Sequence, residues 1–415
     1  MSWIVWLSAT VLFFLAFYQW LLAVLFSVLF RRWHPRPERV DRWPVVEVWM
    51  SLRGSDPELR QNLRGMLSQD YPDYQLRIVV DSEQDEAWTT VHSVTRAGQQ
   101  NCRVETLRDR RTTCSLKCSA MSQLADGLSE ETEVVVLADG DIVAHSNWLK
   151  HLVEPMVDEQ VGVSTGNRWY MPPTARLGTM IRYLWNVGAM VPTFLFANVW
   201  GGSCALRADL FRTTDLSERW RKAAVEDAPL KTVLSEKKLR CRFVPGIMMI
   251  NREDCTVSFA IRFITRMFTW SRLYEPGFVG TIIHALVSSG AIAVCLLAMP
   301  MSWLEPRIPV VEAWIALVVY HLSLCLAAFH IESAVREAIR RNGTVIQEWV
   351  TWGKLLSTMI AGPILEILYP WTVIRAWFQR RVIWRGIEYQ LRGPYDVVMS
   401  SYQPLQRDTR ANESI

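Results

Sequence analysis

Residues 134–141 read Val134-Val135-Val136-Leu137-Ala138-Asp139-Gly140-Asp141. Five apolar residues in a row, three of them β-branched, are too few for an ordinary helix and suit a strand buried on both faces. The run stops at two aspartates separated by a glycine. Strand-like stretches occur at 45–50 and 76–80, the second ending at Asp81. An amphipathic helical pattern fills 58–68, and Asp70-Tyr71-Pro72 makes the turn between them. Strands alternating with helical patterns predict an α/β domain on a mostly parallel sheet. In such sheets ligands bind at the carboxyl ends of the strands, where Asp81 and the Asp139/Asp141 pair both fall.

Outside residues 44–275 the composition changes. Half of the 415 residues are hydrophobic, and 20 are Trp, a residue that favours membrane–water interfaces. Residues 3–30 are almost unbroken apolar sequence, longer than the ~20 residues a bilayer crossing needs. No positive start or small-residue cleavage site accompanies them, so an uncleaved anchor over 1–32 is expected. Arginines at 31, 32, 36, 39 and 42 follow directly. The positive-inside rule then places the N-terminus outside and the 33–276 domain in the cytosol.

A membrane region is expected at 277–378, with spans at about 278–299 and 310–330. Arg336, Arg340 and Arg341 return the chain to the cytosolic side on an interfacial helix ending near Asn342-Gly343. The apolar stretch 355–378 is interrupted by Pro363, Glu366 and Pro370. Spanning there would put the arginine-rich tail outside, so a dip into the membrane and back is favoured over a fourth span. Residues 379–415 are then a cytosolic tail. A formal net charge of +4 is too small to argue for nucleic acid. The eight cysteines include one close pair, Cys114 and Cys118, without partners at zinc spacing, and read as reduced structural thiols.

The acids at the strand ends suit a specific task. A nucleotide-diphosphate donor brings negative charge that two carboxylates alone would repel. A divalent cation resolves the conflict, with protein oxygens on one side and diphosphate oxygens on the other. Taken alone, the aspartate pair also fits a polar turn after a buried strand. Downstream, Trp200-Gly201-Gly202-Ser203-Cys204 permits close backbone approach to a ligand, or an ordinary tight turn. Glu226-Asp227 opens a helix, as a general base for an incoming hydroxyl or as charge favourable to the helix dipole. The segment 262–272 carries Arg262, Arg266, Trp270 and Arg272 immediately before a span. It reads as an interfacial helix, or as a source of arginine for a diphosphate and tryptophan for an acceptor.

These elements in this order resemble the inverting, GT-A-fold (Rossmann-like) glycosyltransferases of family 2, and more closely the ceramide glucosyltransferase-like branch. The resemblance starts at Ser51-Leu-Arg-Gly-Ser-Asp-Pro-Glu-Leu-Arg-Gln-Asn-Leu63 and continues through Gln69-Asp-Tyr-Pro-Asp-Tyr-Gln75 and Val79-Val-Asp-Ser-Glu-Gln-Asp-Glu-Ala87. Ser115-Leu-Lys117, Asp139-Gly-Asp141, Gly201-Gly-Ser-Cys204, Glu226-Asp227 and Arg266-Met-Phe-Thr-Trp270 follow in turn. Trp384-Arg385-Gly386-Ile-Glu-Tyr389 resembles a tail motif of bacterial relatives, which implies a bacterial inner membrane.

The resemblance implies that Asp81, or Asp85, contacts the nucleoside and that Lys117 supports the uracil or diphosphate end. Asp139 and Asp141 would organise Mn²⁺ or Mg²⁺. Asp227 would activate the acceptor hydroxyl, with Gly202 and Glu226 beside the substrate and Trp270 lining the acceptor pocket. One departure stands out: the family pattern ends Arg-Trp, whereas Thr269 precedes Trp270 here. Arg266 and Arg272 are the candidates to replace the missing charge.

The expected activity is transfer of one hexose from a UDP-sugar to the hydroxyl of a membrane lipid. A processive polysaccharide synthase would share these motifs but usually has more spans and the complete Arg-Trp pattern. A non-catalytic membrane sensor of sugar nucleotides is the reading from another class, encouraged only by Thr269.

Overall fold

The computed structural model describes residues 2–95, 101–344, 346 and 351–405. Helix α1 (Ser2–Arg31) comes first. Strands β1 (Val46–Leu52), β2 (Tyr74–Val80), β3 (Cys102–Thr106) and β4 (Val134–Ala138) follow, parallel and in the spatial order β3-β2-β1-β4. Helices α2 (Leu59–Leu67), α3 (Glu86–Val94) and α4 (Leu116–Asp126) lie between them in sequence. All five residues of β4 are buried, as a central strand with both faces covered requires.

After β4 come helix α5 (Trp148–Val153), strands β5 (Val161–Thr165) and β6 (Arg168–Tyr170), helix α6 (Leu177–Leu195) and strand β7 (Ser203–Arg207). Strand β7 is antiparallel to both β4 and β5, so it turns the parallel block into a mixed sheet. Short helices α7 (Asp209–Thr213) and α8 (Leu216–Trp220) lead to Glu226-Asp227 and then to α9 (Ala228–Glu236). Strand β8 (Arg240–Phe243) completes the seven-stranded sheet beside β5, while β9 (Met249–Asn251) pairs in parallel with β6 alone.

Helix α10 (Val257–Tyr274) leads into α11 (Phe278–Ser302), α12 (Val310–Arg341) and α13 (Trp352–Phe378). Among the described residues, α1, α11, α12 and α13 are long and apolar enough to cross a membrane. Their outward faces carry large exposed apolar side chains, including Trp6, Phe14, Phe17, Ile283, Leu297 and Leu326, as contact with lipid requires.

Two features differ from the sequence expectation. The second span and the interfacial helix are one continuous element, α12, because nothing between His330 and Asn342 breaks the helix. Its buried Glu332 accepts from Trp169 Nε1 (2.9 Å), Tyr183 Oη (3.1 Å) and Arg336 Nε (2.5 Å). These bonds make burial of the charge tolerable and tie α12 to β6 and α6. The stretch expected to dip into the membrane and turn back is instead one unbroken helix, α13, with Pro363 and Pro370 inside it, and it touches the α/β domain near both ends. Ser357 Oγ donates to the Ala175 carbonyl (2.9 Å), and Arg272 donates to the carbonyls of Trp377 (2.7 Å) and Gln379 (2.9 Å).

The tail also has structure. Strands β10 (Arg381–Trp384), β11 (Ile387–Gly393) and β12 (Asp396–Ser401) form an antiparallel sheet. It packs back onto the α/β domain through Val382, Tyr389, Leu391 and Met399.

Candidate active site

The Asp139–Asp141 turn is held by its backbone before its side chains act. Asp139 N donates to the Gly202 carbonyl (3.1 Å), and Asn62 Nδ2 donates to the Asp139 carbonyl (2.9 Å). A Cβ on Gly140 would lie 2.6 Å from Leu52 Cδ2, so a larger residue between the aspartates would have to push that side chain aside.

Lys117 sits in the first turn of α4, whose N-terminus is capped by Ser115 Oγ accepting from Cys118 N (3.2 Å). Its ammonium lies 2.6 Å from Asp139 Oδ1 and 2.6 Å from Glu226 Oε1. Burial works against the charge, but the two carboxylates outweigh it and raise the Lys117 pKa. The same contact, with Arg168, overcomes burial at Asp139 and holds that carboxyl below its usual range. Asp141 behaves differently. Burial pushes it up to about 6, with Arg168 pulling the other way and Asp139 and Asp56 adding to the rise.

Arg168 was not among the sequence candidates. It stands on β6, and its Nη2 reaches Asp141 Oδ1 at 2.8 Å and Asp139 Oδ2 at 3.3 Å. Its guanidinium lies over the Trp200 ring, 5.3 Å from the centroid. A three-residue strand paired only with β9 has no local signature, so nothing in the sequence singled this arginine out.

The Gly201-Gly202 pair brings the other acids in. Asp227 Oδ2 accepts from Gly201 N (2.9 Å). A Cβ on Gly201 would collide with Glu226 Oε1, and one on Gly202 would meet Asp139 Oδ2 at 2.5 Å besides the Trp200 ring. Burial raises Asp227 to about 7, helped by the neighbouring Glu226 charge and opposed by the Gly201 amide. Asp139, Lys117, Glu226, Gly202 and Asp227 are therefore one contiguous cluster.

The remaining candidates separate. Asp85 is held by backbone amides. Its carboxylate accepts from Gly54 N (2.9 and 3.0 Å) and from Ala87 N (2.8 Å), capping α3 and holding the β1–α2 loop. Asp81 is buried and paired with Arg53 and Arg110, the latter at 3.0 Å, and accepts from Tyr402 Oη at 3.0 Å. Arg272 is engaged by the carbonyls at the end of α13. Thr269 Oγ1 donates to the Thr265 carbonyl (2.8 Å), and Trp270 packs among core residues. Arg266 lies nearer the site. Burial pushes its pKa down to about 10, and the charges of Arg168 and Arg385 add to the fall while Tyr170 opposes it.

A cavity opens over these groups, lined by Leu52, Arg53, Asp56, Lys117, Asp139, Asp141 and Arg168 on the α/β side. Trp384, Arg385, Ile387 and Tyr389 of the tail line the opposite side.

A mixed α/β sheet with a clustered Asp-Gly-Asp turn at a strand end describes an enzyme site. The chain belongs to glycosyl transferase family 21, whose model matches residues 4–395; it is a glycosyltransferase. No curated protein sequence matches it. Among solved structures, it is similar to the mannosyltransferase PcManGT from Pyrobaculum calidifontis in complex with GDP-Man and Mn2+. That match has 15% identity, covers 87% of this chain and 99% of the other, and has a TM-score of 0.42. Another is glucosyl-3-phosphoglycerate synthase from Mycobacterium tuberculosis in complex with Mn2+ and UDP-Glc, at 13% identity. It covers 55% of this chain and 78% of that one, with a TM-score of 0.36.

Replacing Gly202 by Ala should displace Asp139 or Trp200 and lower sugar transfer by roughly 100-fold, as a misplacement of about 1 Å does. The purified variant should still unfold cooperatively, at a melting temperature lower by a few degrees. An active Gly202→Ala enzyme would show that the close approach is not required.

Proposed function

We propose that the chain transfers a single hexose from a UDP-sugar to the hydroxyl of a membrane lipid, with inversion at the anomeric carbon. The observation that carries this reading is the junction of site and membrane elements. The Asp139–Lys117–Glu226–Asp227 cluster shares one domain with α10, which runs into α11 and packs on α6 and α13. An acceptor confined to the bilayer would reach the site along that junction. The helix pair α1 and α12 would anchor the enzyme, with the arginines after α1 holding the catalytic domain in the cytosol. Helix α13, docked near both ends, would lie along the domain with its exposed apolar face toward the membrane.

Asp227 is the proposed base. A carboxyl near neutrality can accept a proton from an alcohol as its oxygen attacks. The hydroxyl oxygen would attack the anomeric carbon from the face opposite the diphosphate. The bond from that carbon to the diphosphate oxygen breaks, and the proton stays on Asp227. Lys117 would stay beside the departing charge. Asp81 would lie at the nucleoside end, Gly202 and Glu226 beside the sugar, and Trp270 at the acceptor entrance.

Among the described residues, no group of three or more His, Cys, Asp or Glu could hold a metal ion by itself. Two carboxylates do converge, and a guanidinium, Arg168, sits between them. Arg168 and Lys117 already neutralise the pair, so a cation fits there only when those contacts open and diphosphate oxygens supply its other ligands. Asp139 and Asp141 would hold Mn²⁺ or Mg²⁺, which when bound neutralises charge on the leaving diphosphate.

The direct test incubates the purified protein with a panel of UDP-sugars and a native lipid extract. A lipid-soluble product heavier by one sugar is expected. A water-soluble polymer, or no product with any donor, overturns the reading.

Asp227→Asn should lower turnover by about 10²–10⁴-fold while UDP affinity stays nearly unchanged. In the wild type, kcat/KM should fall as pH drops through about 7, because a protonated Asp227 cannot accept the acceptor's proton. Turnover that survives the substitution sinks the assignment.

Asp141→Ala should remove the gain in UDP affinity produced by Mn²⁺. Equal wild-type affinity with and without EDTA would count against a metal at this pair.

A further inference from the structure

We propose that the C-terminal hairpin is part of the donor site and that Arg385, at its turn, binds the donor's diphosphate. The inference rests on the reading of the donor as a nucleoside-diphosphate sugar. It answers a question the family pattern leaves open: where the cation missing at Thr269 comes from.

The β10–β11 ladder closes at the pair Trp384 and Ile387, which leaves Arg385-Gly386 as a two-residue turn. Both residues have positive φ, 46° and 76°, as the tight hairpin turn requires. An arginine is an unfavourable choice for the first of these positions, where Asn, Asp or Gly would serve the turn better. The side chain therefore has a use that the turn alone does not explain.

The turn lies against the elements that carry the site. Arg53 Nε donates to the Arg385 carbonyl (3.1 Å), and Arg385 donates in return to the Arg53 carbonyl. Leu116 N, one residue before Lys117, donates to Tyr389 Oη (3.2 Å). Tyr402, just beyond β12, reaches Asp81. The tail sheet thus touches the ends of β1 and β2 and the start of α4 together.

The Arg385 guanidinium lines the same cavity as Asp139, Asp141, Lys117 and Arg168. One nitrogen bonds Asp56 Oδ2 (2.8 Å) and another the Arg53 carbonyl. Five N–H donors in a planar fork leave capacity for a phosphate oxygen. Its charge also bears on Arg266, which has no ion pair with a carboxylate among the described residues. Arg385 brings the tail's cation into the cavity wall beside the Asp139–Asp141 turn, where a diphosphate would meet it and uridine would not.

The test measures UDP and uridine binding to the full-length protein in detergent with Mn²⁺, by calorimetry, for wild type, Arg385→Ala, Arg385→Lys and Arg392→Ala. Arg392 is an exposed residue of the same tail sheet. Arg385→Ala should weaken UDP by roughly tenfold or more, the usual weight of a charged hydrogen bond. Uridine affinity should not move, Arg385→Lys should recover part of the loss, and Arg392→Ala should match wild type.

Equal weakening of UDP and uridine would make Arg385 a structural pin and overturn the proposal, as would unchanged UDP affinity. If Arg385→Ala fails to fold, the UDP-to-uridine ratio of Arg385→Lys decides in the same way. A wild type that prefers another nucleoside diphosphate would refute only the UDP reading. The same variants, measured with that nucleotide and its nucleoside, then decide Arg385. A wild type that binds no nucleoside diphosphate overturns both.

Discussion

The buried ammonium of Lys117 is the contact on which the rest of the site depends. It lies 2.6 Å from a carboxylate at the end of β4 and 2.6 Å from one just before α9. An unpaired charge in that position would be strongly destabilising, and so would either acid without it. The surrounding backbone is shaped to permit the contact. Gly201 leaves room for Glu226, Gly202 leaves room for Asp139, and the Ser115 cap starts α4 where Lys117 can point inward.

A second constraint links the cluster to the membrane helices. Arg168 bridges Asp139 and Asp141, and its neighbour Trp169 donates to Glu332 of α12. Glu332 also holds Tyr183 and Arg336. Strand β6 is therefore gripped from the catalytic side by one residue and from the membrane side by the next. Adjacent residues of a strand point to opposite faces, which is why so short an element can serve both. The long apolar helix α12 is thus bonded to the strand that orients Arg168.

The tail sheet adds a third side. Through Arg53, Leu116 and Asp81 it contacts three successive crossover regions of the parallel block. Asp81 is enclosed between Arg53, Arg110 and Tyr402. Asp85, four residues on, is occupied by two backbone amides. The two acids are held differently: Asp81 by side chains that reach it from Arg53, Arg110 and Tyr402, Asp85 by the amides of Gly54 and Ala87.

The sequence by itself determined much of this protein, because the relevant signals are local. A run of Val134–Ala138 ending in Asp139-Gly140-Asp141 dictates a buried strand and a polar turn, whatever surrounds it. Apolar stretches of membrane length and the flanking arginines are equally local, as is the order of Lys117, Gly201-Gly202 and Glu226-Asp227. What only the tertiary structure decided concerns residues whose partners are remote in the chain. Arg168 lies 27 residues from Asp141, and Arg385 lies 329 from Asp56. No periodicity or spacing encodes such pairs. Thr269 reads as a missing charge along the chain, yet Arg385 brings a cation to the cavity from the far end of the sequence. Helix α12 reads as a span followed by a separate interfacial helix because Arg336, Arg340 and Arg341 end its apolar run. It is one helix, and its buried Glu332 is satisfied by Trp169, Tyr183 and Arg336, which the fold brings together.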